Sequence, residues 1–201
     1  MSTPFVPALT ARARLLLHGL RYAQLFPCAA IDGRLAIAEA IALFDLARSL
    51  PHEDPRVVEI GDPLGQGAVA ISRGLRGKRN PRLVYVDVGT AAPGAALAQN
   101  LRRAHVEEVV EIRRGHDAAA AVAQPIDMLL IDGDDRHVAA AQDFETWAPK
   151  VRAGGFLCLH EASEGASAGS SSLVEERVRR DPQWVDCRRV LGLFVARKSA
   201  A

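Results

Sequence analysis

From Arg56 onward, short apolar runs alternate with longer stretches that mix polar and apolar residues. Each apolar run is followed by a glycine or by an acidic or polar residue. This alternation is typical of βαβ units, in which parallel strands lie between two layers of helices. The pattern predicts strands at 57–60, 83–86, 109–112, 126–131 and 156–159, and helices at 68–75, 94–104, 117–123 and 138–148.

The C-terminal part of the chain predicts a hairpin that closes the sheet. Residues 162–172 are small and polar, which predicts a mobile loop, and the charged stretch 173–180 predicts a short helix. Two further strands are expected at 184–190 and 193–196, joined by a turn at Gly192. The expected fold is therefore a Rossmann-like, doubly wound α/β sheet of seven strands, parallel and antiparallel mixed.

Two helices are predicted ahead of the sheet, at 9–25 and at 33–50, the second capped by Asp32. We expect residues 1–51 to form a helical extension and residues 52–201 to form the main domain. The second helix carries an apolar stripe at helical spacing. An exposed stripe of that length would be an association surface, so a homodimer or larger homo-oligomer is expected. The stripe consists of Ile37, Ala40, Ile41, Phe44 and Ala47.

Composition argues against several classes of protein. The 201 residues carry a formal net charge of +1 and no dense basic block, which gives no electrostatic reason to expect nucleic acid or an anionic membrane as a partner. The cysteines, Cys28, Cys158 and Cys187, are far apart and form no C-x-x-C pattern, so neither a disulfide framework nor a zinc site is indicated. No apolar segment reaches membrane-spanning length. A cytoplasmic protein without a cleaved leader is expected.

The strand predicted at 57–60 runs into a glycine-rich turn, with Gly61, Gly65 and Gly67 ahead of a helix. Such a turn lets the backbone approach a ligand closely and points the first helical N–H groups at it. The G-x-x-x-G-x-G spacing differs from the nicotinamide fingerprint, and no phosphate-binding P-loop is present. Glu59 places a carboxylate at the carboxyl end of the strand, where a cationic ligand is favoured over a phosphate.

Ligands of doubly wound sheets bind beyond the carboxyl ends of the strands, so polar residues at those ends are the candidates for chemistry. Asp87 ends the second strand at the distance from the glycine turn where a carboxylate binds both ribose hydroxyls; a helix cap is the alternative. Acidic and histidine side chains also gather after the fourth and fifth strands. Such close carboxylates bind a cation, hold a proton or, for Asp134 and Asp135, cap the following helix. The gathered residues are Asp132, Asp134, Asp135, His160 and Glu161.

Four stretches of the sequence are distinctive when they are taken together. They are E-I-G-D-P-L-G-Q-G, Y-V-D-V, P-I-D-M-L-L-I-D-G-D and D-F-E-T-W-A-P-K-V-R-A-G-G-F-L-C-L-H-E. Together they resemble class I S-adenosylmethionine-dependent methyltransferases, and within these the type-twenty-four methyltransferase domain, which is related to sugar and macrolide O-methyltransferases. The resemblance runs nearly continuously over 56–198.

This resemblance implies S-adenosyl-L-methionine as the cofactor. The methionine part would lie among the residues of the glycine turn, which are Glu59, Gly61, Asp62 and Gly65. The ribose would bind Asp87, the adenine would lie near His116 and Asp117, and Asp132 would lie near the methyl group or a bound metal. The implied function is O-methylation of a small hydroxylated metabolite, a sugar or a natural product. The alternative is a catalytically impaired protein that binds the cofactor or another partner.

Two positions depart from the pattern of that family. Asp135 occupies the position of a histidine that is the proposed general base in relatives, and His160-Glu161 replaces the H-D or E-D that relatives carry after the fifth strand. Two arrangements for removing the acceptor proton therefore stay open. One is a divalent metal, magnesium, manganese or zinc, held by Asp132, His160 and Glu161. The other is a metal-free base drawn from Asp135, His137 and His160.

Overall fold

A mixed sheet of seven strands forms the centre of the structure, which is a computed structural model. The strands are β1 (Arg56–Gly61), β2 (Arg82–Asp87), β3 (Val110–Arg114), β4 (Ile126–Asp132), β5 (Val151–Leu159), β6 (Trp184–Val190) and β7 (Leu193–Lys198). Their order is β3-β2-β1-β4-β5-β7-β6; the first five strands are parallel, and β7 is antiparallel to both β5 and β6. The predicted doubly wound, seven-stranded mixed sheet is confirmed.

The structure describes most of the chain, with gaps beside the carboxyl ends of several strands. The described residues are 16, 18–61, 63–87, 95–115, 122, 125–132, 137–160 and 170–200, with only the backbone of 137–139 and 170–171. Of the predicted helix at 117–123 only residue 122 lies among these residues, and residues 9–15 and 17 of the predicted helix at 9–25 lie outside them. The described end of the latter forms a 3₁₀ turn, Leu20–Leu25, and not an α-helix. Residues 162–169 of the predicted loop at 162–172 also lie outside the described ranges, and its last residues begin a helix instead.

The helices of the described part lie mostly where the periodicity predicts them. They are α1 (Phe26–Ala29), α2 (Ile37–Ser49), α3 (Gln66–Gly74), α4 (Ala95–Arg103), α5 (His137–Trp147) and α6 (Ser170–Leu173). A 3₁₀ turn, Leu20–Leu25, precedes α1, and a π-helical turn, Val174–Val178, follows α6. Among the helices described, none has the length and apolar character that a membrane crossing requires.

The two faces of the sheet are covered by separate apolar clusters, and β4 is buried along its whole length. Met128 and Leu130 belong to the cluster beneath α2 and α3, whereas Leu129 and Ile131 belong to the cluster that contains Trp147. Because side chains alternate along a strand, Asp132 follows Met128 and Leu130 onto the face beneath α2 and α3. This periodicity decides which helix can reach Asp132.

Most of the apolar stripe of α2 packs inside the chain and is not an exposed surface. Ala40, Phe44 and Ala47 are at most 4% exposed and pack in the cluster that includes α3, and Ile37 and Ile41 are half-buried against the same cluster. Helix α3 comes close because it carries Gly74, where an added Cβ would overlap the carbonyl oxygen of Phe44. Homo-oligomerisation stays a prediction, and of the stripe only Ile37 and Ile41 keep accessible surface for it.

The start of α2 also differs from the prediction. The helix begins at Ile37 rather than near Asp32, and Ala36 is its N-cap. The backbone N–H of Ala36 donates to Oε2 of Glu39 over 2.7 Å. The side chain of this first-turn glutamate therefore supplies a hydrogen-bond acceptor at the start of the helix. Asp32 lies in the segment before the helix and does not cap it.

A buried carboxylate holds the amino-terminal edge of the sheet together. Asp127, near the start of β4, is 1% exposed and accepts a 2.8 Å hydrogen bond from the backbone N–H of Arg56 on β1. Its other oxygen lies 2.8 Å from Nδ1 of His52 and 3.3 Å from Nε of Arg152. Asp127 therefore links β1, β4 and β5 at the edge opposite to the candidate site.

We expect Asp127→Asn to lower the free energy of unfolding by about 1–3 kcal/mol, because the donors that contact this buried carboxylate lose a charged acceptor. Urea denaturation measures this. The matched control is Asp54→Asn, which removes the exposed pair with Arg79 and should leave stability unchanged. An Asp127→Asn protein as stable as the parent would contradict the role given to Asp127.

Candidate active site

The carboxyl ends of β1, β4 and β5 bring three of the predicted site residues to one edge of the sheet. Gly61 of β1 pairs in register with Asp132 of β4. The backbone N–H of His160, directly after β5, donates to the carbonyl oxygen of Ile131 over 3.0 Å. Gly61, Asp132 and His160 are therefore neighbours at the edge where doubly wound sheets bind their ligands.

The glycine turn requires its glycines. Gly61 and Gly65 have φ values of 101° and 71°, which residues with a side chain rarely adopt. At Gly67, in the first turn of α3, an added Cβ would overlap a carboxylate oxygen of Glu59. The glycines thus allow the start of α3 to rest directly on the Glu59 carboxylate.

Glu59 is fully buried, with 0% of its surface exposed. Its carboxylate lies under the first turn of α3, where the positive end of the helix dipole favours a negative charge. This position supports the turn from below. The predicted contact of Glu59 with the methionine part of a cofactor stays a prediction.

A cavity of about 240 Å³ opens beside this turn and reaches Asp132. Residues 32–35 form one wall, and Pro63, Leu64, Gln66 and Asp132 form the rest. The wall is tied to α3 by the side chain of Gln66, whose Oε1 accepts from the Leu35 N–H over 2.8 Å and whose Nε2 donates to the Leu35 carbonyl over 3.3 Å. The segment before α2 is thereby held in place as part of the cavity.

Behind the cavity, the ring of His160 lies between two buried carboxylates. Its Nδ1 is 2.8 Å from Oδ1 of Asp132, and its Nε2 is 3.3 Å from Oε2 of Glu39. The three side chains are 2%, 5% and 4% exposed for His160, Asp132 and Glu39. A carboxylate accepts hydrogen bonds, so a ring that donates to both must carry a proton on each nitrogen.

The electrostatics of this cluster favour a charged ring. Burial alone would lower the pKa of His160, but the hydrogen bonds to Asp132 and Glu39 outweigh burial and raise it to about 10. Burial likewise opposes ionisation of Glu39, yet the contacts with His160 and with Ala36 lower the pKa of that carboxyl. At neutral pH the cluster is an imidazolium held by two carboxylates.

This geometry bears on two of the predicted roles of His160. An imidazolium has no lone pair, so in this arrangement it neither takes a proton from an acceptor nor binds a metal. Within the described residues, no group of three or more histidine, cysteine and acidic side chains has the arrangement of a metal site. The predicted metal set of Asp132, His160 and Glu161 stays a prediction, because Glu161 lies outside those residues.

The other predicted residues are placed as follows. Asp87 ends β2, next to β1, and its carbonyl oxygen accepts from the Gly115 N–H over 2.9 Å. His137 begins α5, although only its backbone is described. The residues that lie outside the described ranges are Asp62, His116, Asp117, Asp135 and Glu161.

Glu39 is the site residue that sequence reasoning missed. It contributes three contacts, since its Oε1 also accepts from the backbone N–H of Gly192 over 2.7 Å. The partner on its other oxygen, His160, is 121 positions away in the chain. The one local signal was an acidic residue in the first turn of the helix, which indicates a helix start and not a site.

The fold is shared by methyltransferases of known structure. The O-methyltransferase TomG from Streptomyces achromogenes, in complex with SAM, superposes with a TM-score of 0.67 at 18% identity, over 84% of this chain and 83% of that one. An O-methyltransferase from Bacillus cereus, in complex with SAH, gives 0.67 at 17% identity, over 96% and 93%. The SAH-bound methyltransferase PaMTH1 from Podospora anserina gives 0.69 at 14% identity, over 100% of both chains.

Sequence comparison gives the family. No curated protein sequence matches the chain significantly. The family described as "Methyltransferase domain", of type twenty-four, matches residues 58–162, which is more than half of the chain and includes the glycine turn, Asp132 and His160. The chain therefore belongs to this methyltransferase domain family, as the resemblance of its motifs predicted.

Proposed function

We propose that the protein is an S-adenosylmethionine-dependent O-methyltransferase that acts on a small hydroxylated metabolite, such as a sugar or a natural product. The observation that carries the proposal is the cavity of about 240 Å³ between the glycine turn and Asp132. Family membership and the O-methyltransferases of the same fold, which were crystallised with SAM or SAH, support it. A cytoplasmic location and a homo-oligomeric assembly remain predictions.

The described residues fit the cofactor. Gly61 and Gly65 have positive φ values that favour glycine, and the turn between them contributes Pro63 and Leu64 to the cavity wall. In this proposal Glu59, Gly61, Asp62 and Gly65 surround the methionine part. Asp87 accepts the ribose hydroxyls, and His116 and Asp117 lie beside the adenine.

The bound cofactor supplies a methyl group that its sulfonium already activates. The chain must therefore align the acceptor oxygen and help it lose a proton. We assign Asp132 to the reacting end, because it lies in the cavity wall and its negative charge favours a sulfonium nearby. His160 orients Asp132. The base is drawn from Asp132, Asp135 and His137, since a doubly protonated His160 cannot serve.

A divalent metal fits the described residues poorly. Oδ1 of Asp132 already faces Nδ1 of His160, and the other ring nitrogen faces Glu39. Binding a metal through His160 would break one of these contacts and leave a buried carboxylate without its counter-charge, which is costly. Of the two predicted arrangements, we therefore favour the metal-free one.

We expect Asp87→Ala to weaken binding of S-adenosylhomocysteine by about tenfold or more, because charged hydrogen bonds contribute about 1.5–3 kcal/mol each. Titration calorimetry measures the dissociation constant. The control is Glu111→Gln on the neighbouring β3, which removes an exposed carboxylate away from the carboxyl edge. If Asp87→Ala binds as tightly as the parent protein, the ribose assignment is wrong.

We expect methyl transfer from S-adenosylmethionine to a panel of sugars and phenols to persist in the presence of a chelator, and to fall by about a hundredfold or more in Asp132→Asn. Product formation is measured by mass spectrometry, with magnesium, manganese or zinc added back after chelation. If turnover is lost with chelator and recovers with one of these metals, the metal-dependent arrangement is correct and the metal-free one is wrong. Cofactor binding without turnover of any acceptor would favour the catalytically impaired alternative.

A further inference from the structure

We propose that Glu39 is a positioning residue of this site: its carboxylate fixes the ring of His160, and His160 in turn holds the carboxylate of Asp132 at the cavity. The inference rests on the proposed function, since it takes Asp132 to lie beside the reacting end of the cofactor. It assigns a role in methyl transfer to the N-terminal helix α2, which lies outside the residues matched by the family.

The placement of Glu39 is unusual for a residue that only starts a helix. Glutamates of the first helical turn commonly lie at the surface, where water solvates the charge. Glu39 is 3% exposed. A buried carboxylate is costly unless a counter-charge and donors surround it, and here the ring of His160 is that counter-charge.

Two backbone N–H groups bind the Glu39 carboxylate in addition to the ring of His160. Oε2 accepts from Ala36 at the start of α2 over 2.7 Å, and Oε1 accepts from Gly192 in the β6–β7 turn over 2.7 Å. The two donors come from separate elements, the N-cap of α2 and the β6–β7 turn, and each binds a different carboxylate oxygen. The carboxylate therefore presents one defined direction to the His160 ring, 3.3 Å away.

The His160 ring transmits that direction to Asp132. An imidazole ring is rigid, so fixing Nε2 against Glu39 also fixes Nδ1, which lies 2.8 Å from Oδ1 of Asp132. Asp132 ends a strand that is buried along its whole length, and its side chain faces the cavity beside Leu35 and Gln66. Three segments distant in sequence thus set the direction of one carboxylate.

The test compares the dissociation constants of S-adenosylmethionine and S-adenosylhomocysteine by calorimetry, without any acceptor. The first ligand carries a positive sulfonium and the second a neutral thioether, so their ratio reports how closely a carboxylate faces the sulfur. The variants are Glu39→Gln, Asp132→Asn and the double variant. Asp127→Asn is the matched control, because Asp127 is another buried carboxylate of β4 in contact with a histidine, at the opposite edge.

We expect the parent protein to prefer the sulfonium ligand, and Glu39→Gln to reduce that preference about fivefold, since the direction of Asp132 is loosened. Asp132→Asn should remove the preference, and the double variant should match Asp132→Asn, because Glu39 acts through Asp132. Asp127→Asn should keep the parent ratio even though it is less stable. An unchanged ratio in Glu39→Gln, or a double variant whose loss is the product of the two single losses, would overturn the proposal.

Two further measurements keep the outcome decisive. If Glu39→Gln does not fold, Glu39→Asp keeps the charge but withdraws it by one methylene, and the same reduced ratio is expected. If neither ligand binds the parent protein, the proposed function fails by itself. The ring N–H protons of His160, observed by NMR, then test the contact: identical ring signals in the parent and in Glu39→Gln would overturn it.

Discussion

The ring of His160, held between Asp132 and Glu39, is the interaction on which the arrangement of the candidate site depends. Two buried carboxylates repel each other and lose their hydration, and one imidazolium between them offsets both costs. The backbone donors of Ala36 and Gly192 complete the set. Removing His160 would leave two buried carboxylates without their counter-charge, whereas removing one carboxylate would leave the ring paired with the other.

The same contacts join helix α2 to strands and a hairpin that are already neighbours in the sheet. Asp132 ends β4, His160 follows β5, Glu39 belongs to α2, and Gly192 lies in the β6–β7 turn. Chain ends and hairpin turns are commonly the least stable parts of a domain. Here a buried ionic cluster attaches both to the edge of the sheet where the cavity opens.

The sequence was informative wherever a local pattern determined the outcome. Periodicity located the strands, and the acidic residue that ends the fourth apolar run lies at the cavity. The glycines at 61 and 65 have the backbone conformations that only glycine adopts readily. The predicted fifth strand began at Phe156, whereas β5 begins at Val151. Arg152 and two glycines interrupt the apolar run there, and the pairing of β5 with β4 is also irregular.

The sequence did not predict which parts of the chain contact one another in the folded structure. Periodicity identified the stripe of α2 as apolar but not the helix that covers it. The close approach of α3 depends on Gly74, and a single glycine does not mark a contact surface in a hydrophobic pattern. For the same reason, Glu39 was not singled out. Its contact with His160 spans 121 positions and exists only after the sheet has formed.

The most direct test of the charged cluster is the pH dependence of stability in the parent protein and in His160→Gln. The pKa of His160 is raised from 6.5 to about 10 in the folded protein, so its contribution is complete below the unfolded value and is lost as pH rises through the folded one. The difference in free energy of unfolding between the two proteins should therefore shrink steadily as pH rises from 6.5 toward about pH 10. A difference that is independent of pH over this range, or that grows with pH, would show that the ring is neutral and contradict the account.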